Sequence, residues 1–287
     1  MLDREDVYHM KARLHVPTTF LLLVIMIVGA GMPQAAAAAA ARPANRPLII
    51  AHRGASGYAP ENTMAAFELA IELGADAVEL DVRRSLDGAL VVIHDATVNR
   101  TTTGEHRGFV SRLTLAQLKT LDAGSWRGTQ FAGERIPTLE EVFVGLRGRT
   151  RFLIELKDSG IEEDVVRVIR EAGVADSVML QSFSAKSVAV ITSLIPEAPS
   201  GVLFRRPILF GRGRFTDKVV HTTADKGAVF AAVAHKAMTK SLVDAVSAQG
   251  LGIYVWTVND VNAMRKMIDL GVDGIITNYP DVVRGLM

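Results

Sequence analysis

The chain has 287 residues, of which 49% are hydrophobic and 22% are charged, as is typical of one large globular domain or two small ones. Its 32 lysine and arginine residues against 31 aspartate and glutamate residues leave a formal net charge of +1. No global positive field is therefore available to hold nucleic acid. Because the chain has no cysteine, disulfide bonds, thiolate metal sites and a cysteine nucleophile are all excluded.

The first 41 residues differ in composition from the rest. No charged residue occurs in residues 16–41, and the apolar centre, residues 20–28, is preceded by Lys11 and Arg13 and followed by an alanine run. A basic flank, an apolar centre and a small-residue tail are typical of a secretory signal peptide cleaved near the alanines. Three acidic residues near the N-terminus are unusual in such a flank, and a start at Met10 would remove them.

The alternative is an uncleaved membrane anchor. A spanning helix needs about 20 predominantly apolar residues, and this stretch reaches that length only if the alanines are counted. Both interpretations place the domain of residues 42–287 outside the cytoplasm, either secreted or held at the membrane.

In residues 42–287, short apolar runs alternate with longer amphipathic ones. The eight strand candidates are residues 48–51, 77–81, 151–156, 178–181, 201–204, 229–233, 253–256 and 274–277. Helix patterns between them include residues 63–73, 161–172, 186–194, 241–249 and 261–270. Apolar strands separated by helices indicate a parallel sheet buried on both faces, and eight of them predict an α/β fold, the (β/α)8 TIM barrel. The alternative, a doubly wound open sheet, lacks the Gly-x-Gly-x-x-Gly turn after its first strand.

A ninth apolar run, residues 90–94, follows the second strand after an Asp-Gly pair at positions 87 and 88, which is a strong hairpin signal. We therefore predict an antiparallel excursion from strand two. A turn centred on that pair places Asp81 opposite His94, on one face of the hairpin. Glu79 lies two residues before Asp81 and shares that face.

Active sites of (β/α)8 barrels lie at the C-terminal ends of the strands. Glu79, Asp81 and Glu155 face this end, where three carboxylates would repel one another. A hard divalent cation, Mg²⁺ or Ca²⁺, bound through oxygen ligands is the simplest remedy. The alternative is a set of ion pairs with the cationic side chains nearby, Arg53, Arg83 and Lys157.

Two histidines, His52 and His94, are predicted beside this acidic cluster. Histidine titrates near neutrality, so one ring can take a proton while the other gives one. A zinc site is the alternative, but the three neighbouring carboxylates offer only oxygen ligands, which favours a hard metal. Arg53 and Lys157 add charges suited to phosphate. The set points to phosphoryl-ester cleavage more than to glycoside hydrolysis, which typically needs two carboxylates and no cations.

From about Leu48 to the end, the chain resembles the glycerophosphodiester phosphodiesterase family. The matching motifs are His52-Arg53-Gly54, Pro60-Glu61-Asn62-Thr63, Glu79-Leu80-Asp81, His94-Asp95, Ile136-Pro137-Thr138-Leu139-Glu140-Glu141, Glu155-Leu156-Lys157, Gln181-Ser182-Phe183, Trp256-Thr257-Val258-Asn259 and Asp273-Gly274-Ile275-Ile276-Thr277-Asn278. Each motif is weak alone, but their order and number make the resemblance specific.

The resemblance implies a phospholipase C-like barrel with a small insertion, residues 97–135, able to form part of the pocket wall. It implies metal-dependent hydrolysis of glycerophosphodiesters to glycerol 3-phosphate and an alcohol. The implied roles are metal binding by Glu79, Asp81 and Glu155, and general base and acid catalysis by His52 and His94. The implied roles around the substrate are phosphate binding or support of the site by Arg53, Glu61 and Lys157, and lining of the pocket by Trp256.

Other functions compete with this one. Lysophospholipase D or phospholipase C-like action on a lipid is one alternative, and a non-catalytic phosphate-binding surface protein is another. A basic stretch, residues 205–214, is expected to be a solvated loop, with contact to anionic lipid headgroups as the alternative. No feature of the sequence specifies an oligomeric state.

Overall fold

A computed structural model describes residues 46–205 and 212–287. The nine strands in these ranges are β1 (Leu48–Ala51), β2 (Ala77–Arg84), β3 (Leu90–Val92), β4 (Arg151–Leu156), β5 (Val178–Ser182), β6 (Ser200–Phe204), β7 (Phe230–Ala234), β8 (Gly252–Trp256) and β9 (Gly274–Thr277). The α-helices there are α1 (Met64–Glu72), α2 (Leu115–Thr120), α3 (Leu139–Leu146), α4 (Glu162–Ala172), α5 (Ala185–Leu194), α6 (Arg212–Asp225), α7 (Lys240–Ser247), α8 (Val261–Leu270) and α9 (Pro280–Arg284).

Eight parallel strands close into a barrel, which confirms the predicted (β/α)8 fold. The strand order is β1-β9-β8-β7-β6-β5-β4-β2, and β1 also pairs with β2 to complete the ring. Apolar side chains inside the barrel form one core cluster, with Phe230 and Tyr254 stacked 4.5 Å apart between ring centroids. Two further clusters lie between the strands and the surrounding helices. Burial on both faces explains why the strands read as continuous apolar runs.

Polar caps set where several helices begin. Thr63, Thr138 and Asp260 each accept a hydrogen bond from a backbone N–H in the first turn of α1, α3 and α8, respectively. These caps satisfy donors that the first helical turn leaves without an intrahelical acceptor. The predicted helices 63–73 and 261–270 therefore form with almost the expected boundaries.

The sequence does not predict helix α6, because the basic stretch around its start favours a loop. Its buried stripe consists of Phe215, Val219 and Thr223, spaced four residues apart. Only two of these side chains are hydrophobic, so the helical period is weak in the sequence. Residues 206–211 of the predicted basic loop, for which lipid contact is the alternative interpretation, lie outside the described residues.

The antiparallel pair of β2 and β3 forms, but its register differs from the predicted one by a single position. Val82 is paired with Val92. One position further along, the backbone N–H of Ile93 donates to the carbonyl of Asp81, 2.9 Å away. The prediction that His94 lies opposite Asp81 is therefore wrong, since Ile93 occupies that position.

The length of the turn explains the difference in register. Ser85 donates its backbone N–H to the carbonyl of Ala89, which leaves three residues in the loop instead of two. A one-residue slip would turn a side chain to the opposite face of a strand. His94 escapes this effect because β3 has already ended, and its backbone carbonyl accepts a hydrogen bond of 3.0 Å from Arg83 Nε.

The insertion of residues 97–135 packs against β3. Its apolar side chains, with Leu118 and Leu121 fully buried, join Val91 and Ile93 in a small separate core. Single antiparallel bridges join Thr97 to Phe109 and Thr103 to Asp122, and they hold the insertion together.

The predicted signal segment lies outside the described residues. Within residues 46–205 and 212–287, no helix has both the length and the apolar character needed to span a membrane.

Asp122 organises the second half of the insertion. Its carboxylate accepts hydrogen bonds of 2.8 Å from the backbone N–H groups of Gly124, Ser125 and Gly133. Burial alone would raise the pKa of Asp122, but these donors outweigh it and hold the pKa well below its usual range.

We expect Asp122→Asn to lower the free energy of unfolding by about 1–2 kcal/mol at pH 7, because the charged acceptor is lost. A depressed folded pKa adds stability above the unfolded value of about 3.9, and this stability disappears as the pH falls through the folded pKa. The difference between variant and wild type should thus shrink below about pH 4 in urea titrations. The exposed residue Asp176, changed to Asn, is the control, and an equal loss there would contradict the prediction.

Candidate active site

A cavity of about 200 Å³ opens at the C-terminal ends of the barrel strands. Its described lining residues, all but Glu79 within two positions of the C-terminal end of a strand, are His52, Arg53, Glu79, His94, Glu155, Lys157, Gln181, Phe183, Leu203, Arg205, Trp256, Thr257 and Ile276. Seven of the nine predicted site residues are in this set. Of the other two, Asp81 lies beside Glu79 and Glu155, whereas Glu61 lies outside the lining. None of residues 97–135 belongs to the described lining of this cavity.

Strand geometry brings the three carboxylates together. Asp81 on β2 is the register partner of Glu155 on β4, and Glu79 projects from the same face of β2 two residues earlier. One oxygen from each carboxylate lies within 4.8 Å of the others, and Glu79 and Asp81 are only 1% exposed. The predicted convergence of these three residues is therefore present.

Burial and mutual repulsion raise the pKa of two of these acids. Burial, followed by the charges of Asp81 and Glu155, raises the pKa of Glu79 well above its ordinary value. Burial, followed by the charge of Asp81, raises the pKa of Glu155 to about 7. Burial also opposes ionisation of Asp81, but Arg53 and Lys157 outweigh it and lower the pKa of Asp81.

Two of the three predicted ion pairs are present. Arg53 Nε lies 3.3 Å from Asp81 Oδ2, and Lys157 Nζ lies 2.7 Å from Glu155 Oε1. Arg83 does not join the cluster and pairs with Asp158 instead.

The acidic cluster retains oxygen ligands for a cation. Asp81 Oδ1 accepts no hydrogen bond from the described residues, although Lys157 Nζ lies 3.4 Å away. Glu79 accepts a hydrogen bond of 2.8 Å from the backbone N–H of Arg53. A buried carboxylate oxygen without a donor, next to two acids of raised pKa, suits a hard divalent cation. The buried triad can thus hold a metal ion, as the family resemblance implies.

His52 follows β1 and is oriented by the residue that follows β9. Its Nδ1 lies 2.7 Å from Asn278 Oδ1, and the backbone N–H of Asn278 donates to Asn259 Oδ1. Because an amide oxygen only accepts, the His52 Nδ1 carries the proton and Nε2 keeps its lone pair. Burial, with a smaller effect of Arg53, lowers the pKa of His52 to about 4, so the ring is neutral at pH 7.

His94 is oriented by the next residue in the chain. Its Nδ1 lies 2.7 Å from Asp95 Oδ1. Hydrogen bonds from Arg100 and then His94 outweigh burial and hold the pKa of Asp95 far below its usual range, so this carboxylate is ionised. An ionised carboxylate only accepts, and His94 therefore donates through Nδ1 and keeps Nε2 free. Burial lowers the pKa of His94 as well.

Glu61 lies outside the cavity lining and supports the Arg53 side chain. Its Oε1 accepts a hydrogen bond of 2.7 Å from Arg53 Nη1, and Arg100 donates to both of its oxygens at 2.8 Å. Both carboxylate oxygens are thus engaged by guanidinium groups. Of the two implied roles, binding phosphate or supporting the site, this placement fits support.

A tight turn between β1 and α1 presents Arg53 to the cavity. Arg53 and Gly54 have φ angles of 55° and 80°, and the first is unusual for a residue other than glycine. A Cβ atom on Gly54 would lie 2.6 Å from the backbone carbonyl of Ala66, so only glycine fits there. This packing explains the glycine of the His-Arg-Gly motif.

Aromatic side chains also line the cavity. Trp256 donates its Nε1–H to the carbonyl of Ala232 at 3.0 Å, which fixes the indole ring. The ring of Phe183 meets it edge-on at 5.5 Å between centroids. The guanidinium of Arg205 lies 4.5 Å from the centroid of Phe183, a cation–π arrangement.

Sequence reasoning missed several polar residues that orient this site. Asn62 Nδ2 donates to Asp81 Oδ2 at 2.9 Å, while Asp95 and Asn278 hold the two histidines. These residues occur in the matched motifs, but no role was assigned to them. Gln181, which lines the cavity, carried a usable signal because it is a polar residue within an apolar strand.

The fold and the cavity together define an α/β-barrel enzyme of the phosphoryl-transfer type, with acidic, cationic and imidazole groups converging at the barrel mouth. The sequence model of the glycerophosphoryl diester phosphodiesterase family matches residues 52–282. The chain belongs to this family, which confirms both the resemblance and an enzyme of this kind.

The similarity to relatives covers most of this chain and nearly all of theirs. YhdW of Bacillus subtilis, provisionally named a glycerophosphodiester phosphodiesterase, is 43% identical over 82% of this chain and 96% of its own. The glycerophosphodiester phosphodiesterase of Caldanaerobacter subterraneus is 41% identical over 84% of this chain and 97% of its own. The solved structure of an Oleispira antarctica phosphodiesterase in complex with the product sn-glycerol-3-phosphate superposes with a TM-score of 0.73 at 30% identity, covering 84% and 96% of the two chains.

We expect Asp81→Asn to weaken Mg²⁺ and Ca²⁺ binding by at least about tenfold, because the central anionic ligand becomes a neutral amide. Calorimetric titration and the metal-induced rise in Tm both measure this loss. Asp158→Asn is the matched control, since Asp158 pairs with Arg83 outside the cavity. Unchanged metal affinity in Asp81→Asn, or an equal loss in both variants, would contradict a metal site at the triad.

Proposed function

We propose that the protein hydrolyses glycerophosphodiesters to glycerol 3-phosphate and an alcohol, with Mg²⁺ or Ca²⁺ held by Glu79, Asp81 and Glu155. The observation that supports this most is that one cavity is lined by two members of the acidic triad, by Arg53 and Lys157 and by two oriented imidazoles, with the third acid beside them. When bound, the divalent cation would polarise a phosphoryl oxygen and offset the charge of the triad.

Arg53 and Lys157 anchor the phosphate in this proposal. The Arg53 guanidinium is held by Glu61 and suits the geometry of two phosphate oxygens, while Lys157 contributes a point charge. Trp256 and Phe183 provide an apolar wall for the carbon skeleton of the substrate. This arrangement fixes the phosphorus between the cationic groups and the two histidines.

The histidines divide the proton transfers. Neutral His52 takes the proton of the attacking hydroxyl at Nε2, whether that hydroxyl belongs to water or to the glycerol moiety. His94 first takes a proton from solvent at its free Nε2 and gives it to the leaving alcohol oxygen as the old P–O bond breaks, and ionised Asp95 stabilises the protonated ring. Water completes hydrolysis in both routes, and the second route passes through a cyclic phosphate.

We expect His52→Ala and His94→Ala each to lower turnover of glycerophosphocholine by about 10²–10⁴-fold, because a proton-transfer group is lost. Metal affinity should survive, since neither ring belongs to the acidic triad. His221→Ala, at an exposed position on α6, is the control and should retain full activity. If His94→Ala abolishes metal binding but leaves the proton-transfer chemistry unchanged, the role assigned to His94 is overturned.

The same assay separates the competing functions. Turnover that persists in the presence of a chelator would show that the reaction does not require the metal. Activity confined to lysophospholipids would favour a lysophospholipase D. Phosphate binding without turnover of any diester would favour a binding protein.

We also propose that the chain is exported and cleaved, on the strength of the charge-free segment of residues 16–41. N-terminal sequencing of the protein recovered outside the cytoplasm should find a terminus between Ala36 and Arg42. A mature chain that keeps residues 20–28 and sediments with membranes would instead identify an anchor. Cytosolic fractions analysed in parallel are the control for leakage.

A further inference from the structure

Arg100, in the insertion, binds two carboxylates at once. Its Nη1 and Nη2 donate to the two oxygens of Glu61, each at 2.8 Å. Its Nε and Nη2 donate to the two oxygens of Asp95 at 2.7 and 3.0 Å. The guanidinium is thus bidentate on both sides, and a lysine ammonium cannot reproduce this geometry.

Each of these carboxylates holds a group that lines the cavity. Glu61 Oε1 accepts a hydrogen bond from Arg53 Nη1, and Asp95 Oδ1 accepts one from His94 Nδ1, both at 2.7 Å. Arg100 therefore lies one carboxylate away from both the Arg53 guanidinium and the ring of His94, which serves the leaving alcohol in the proposed function.

Removing Arg100 would remove the cation that Glu61 and Asp95 share. Arg100 Nη2 bonds to both Glu61 and Asp95, so the two carboxylates lie within hydrogen-bond reach of one nitrogen. Two anions that close repel each other when the shared cation is removed. An isolated exposed ion pair contributes little, but a bidentate network of several charges holds its members in one geometry.

We propose that Arg100 is a positioning residue, which clamps Glu61 and Asp95 and so fixes the orientation of Arg53 and His94. Its kinetic effect rests on the proposed function. Through this clamp the insertion controls the reaction even though it contributes no described lining residue to the cavity.

Kinetic measurements on glycerophosphocholine with saturating Mg²⁺ test the clamp. Arg100→Ala should lower kcat/KM by about 10–100-fold, since small displacements of catalytic groups are costly. Arg100→Lys should recover only part of this loss, whereas millimolar guanidinium should restore part of the activity of Arg100→Ala. Added to Asp95→Asn and Glu61→Gln together, Arg100→Ala should cost little more.

Arg107→Ala is the matched control. Arg107 lies in the same loop but donates to the backbone carbonyls of Asn99 and Thr102, away from the two carboxylates. It should stay within about threefold of wild type and show no rescue by guanidinium. Full activity in Arg100→Ala, or an equal loss in Arg107→Ala, would overturn the proposal.

A second readout needs no turnover. Long-range ¹H–¹⁵N spectra, with His94→Asn to assign the signals, should show His94 as the Nδ1–H tautomer in the wild type and as a mixture in Arg100→Ala. An unchanged tautomer in Arg100→Ala would overturn the clamp. A wild-type enzyme inert on every diester would instead refute the proposed function, and the spectra would still decide the positioning role.

Discussion

Repulsion among three buried carboxylates is the constraint on which the rest of the site depends. Unit charges 4.8 Å apart repel by about 3.5 kcal/mol at an effective dielectric constant of about 20. Burial, with this repulsion added to it, raises the pKa values of Glu79 and Glu155. Arg53 and Lys157 offset part of this repulsion, and a divalent cation bound through oxygen would offset far more.

Some residues of the site are positioned by rigid strands, and others lie in loops where hydrogen bonds from neighbouring side chains position them. The carboxylates project from adjacent barrel strands, where the hydrogen-bonded ladder fixes their spacing. The histidines and Arg53 lie beyond strand ends, where the backbone alone would not hold them. Each therefore has its own partner: Asn278 for one ring, Asp95 for the other, and Glu61 for the guanidinium. Such supporting contacts give loop residues the precision that strands possess already.

The barrel and the acidic triad could be predicted because both depend on local periodicity. Alternation along a strand places Glu79 and Asp81 on one face in any register of the neighbouring strands. The hairpin register could not be predicted as reliably, because an Asp-Gly pair marks a turn without fixing its length. The partners of His52 and Arg53 depend on contacts that the chain makes only after folding, as in the pairing of His52 with Asn278, 226 positions apart. No local pattern encodes such contacts.

The hydrogen bond between His52 and Asn278 lies at the seam where the first barrel strand meets the last. Synthesis proceeds from the N-terminus, so the ribosome releases β1 long before β9 exists to pair with it. Until then β1 has an unsatisfied edge on that side, and loop closure over this span is a late and slow step. The His52 ring therefore gains its Asn278 partner only as the barrel closes. Glu79, Asp81 and Glu155 lie on strands that are synthesised earlier, whereas the contact of His52 with Asn278 and the completed barrel arise in a single event.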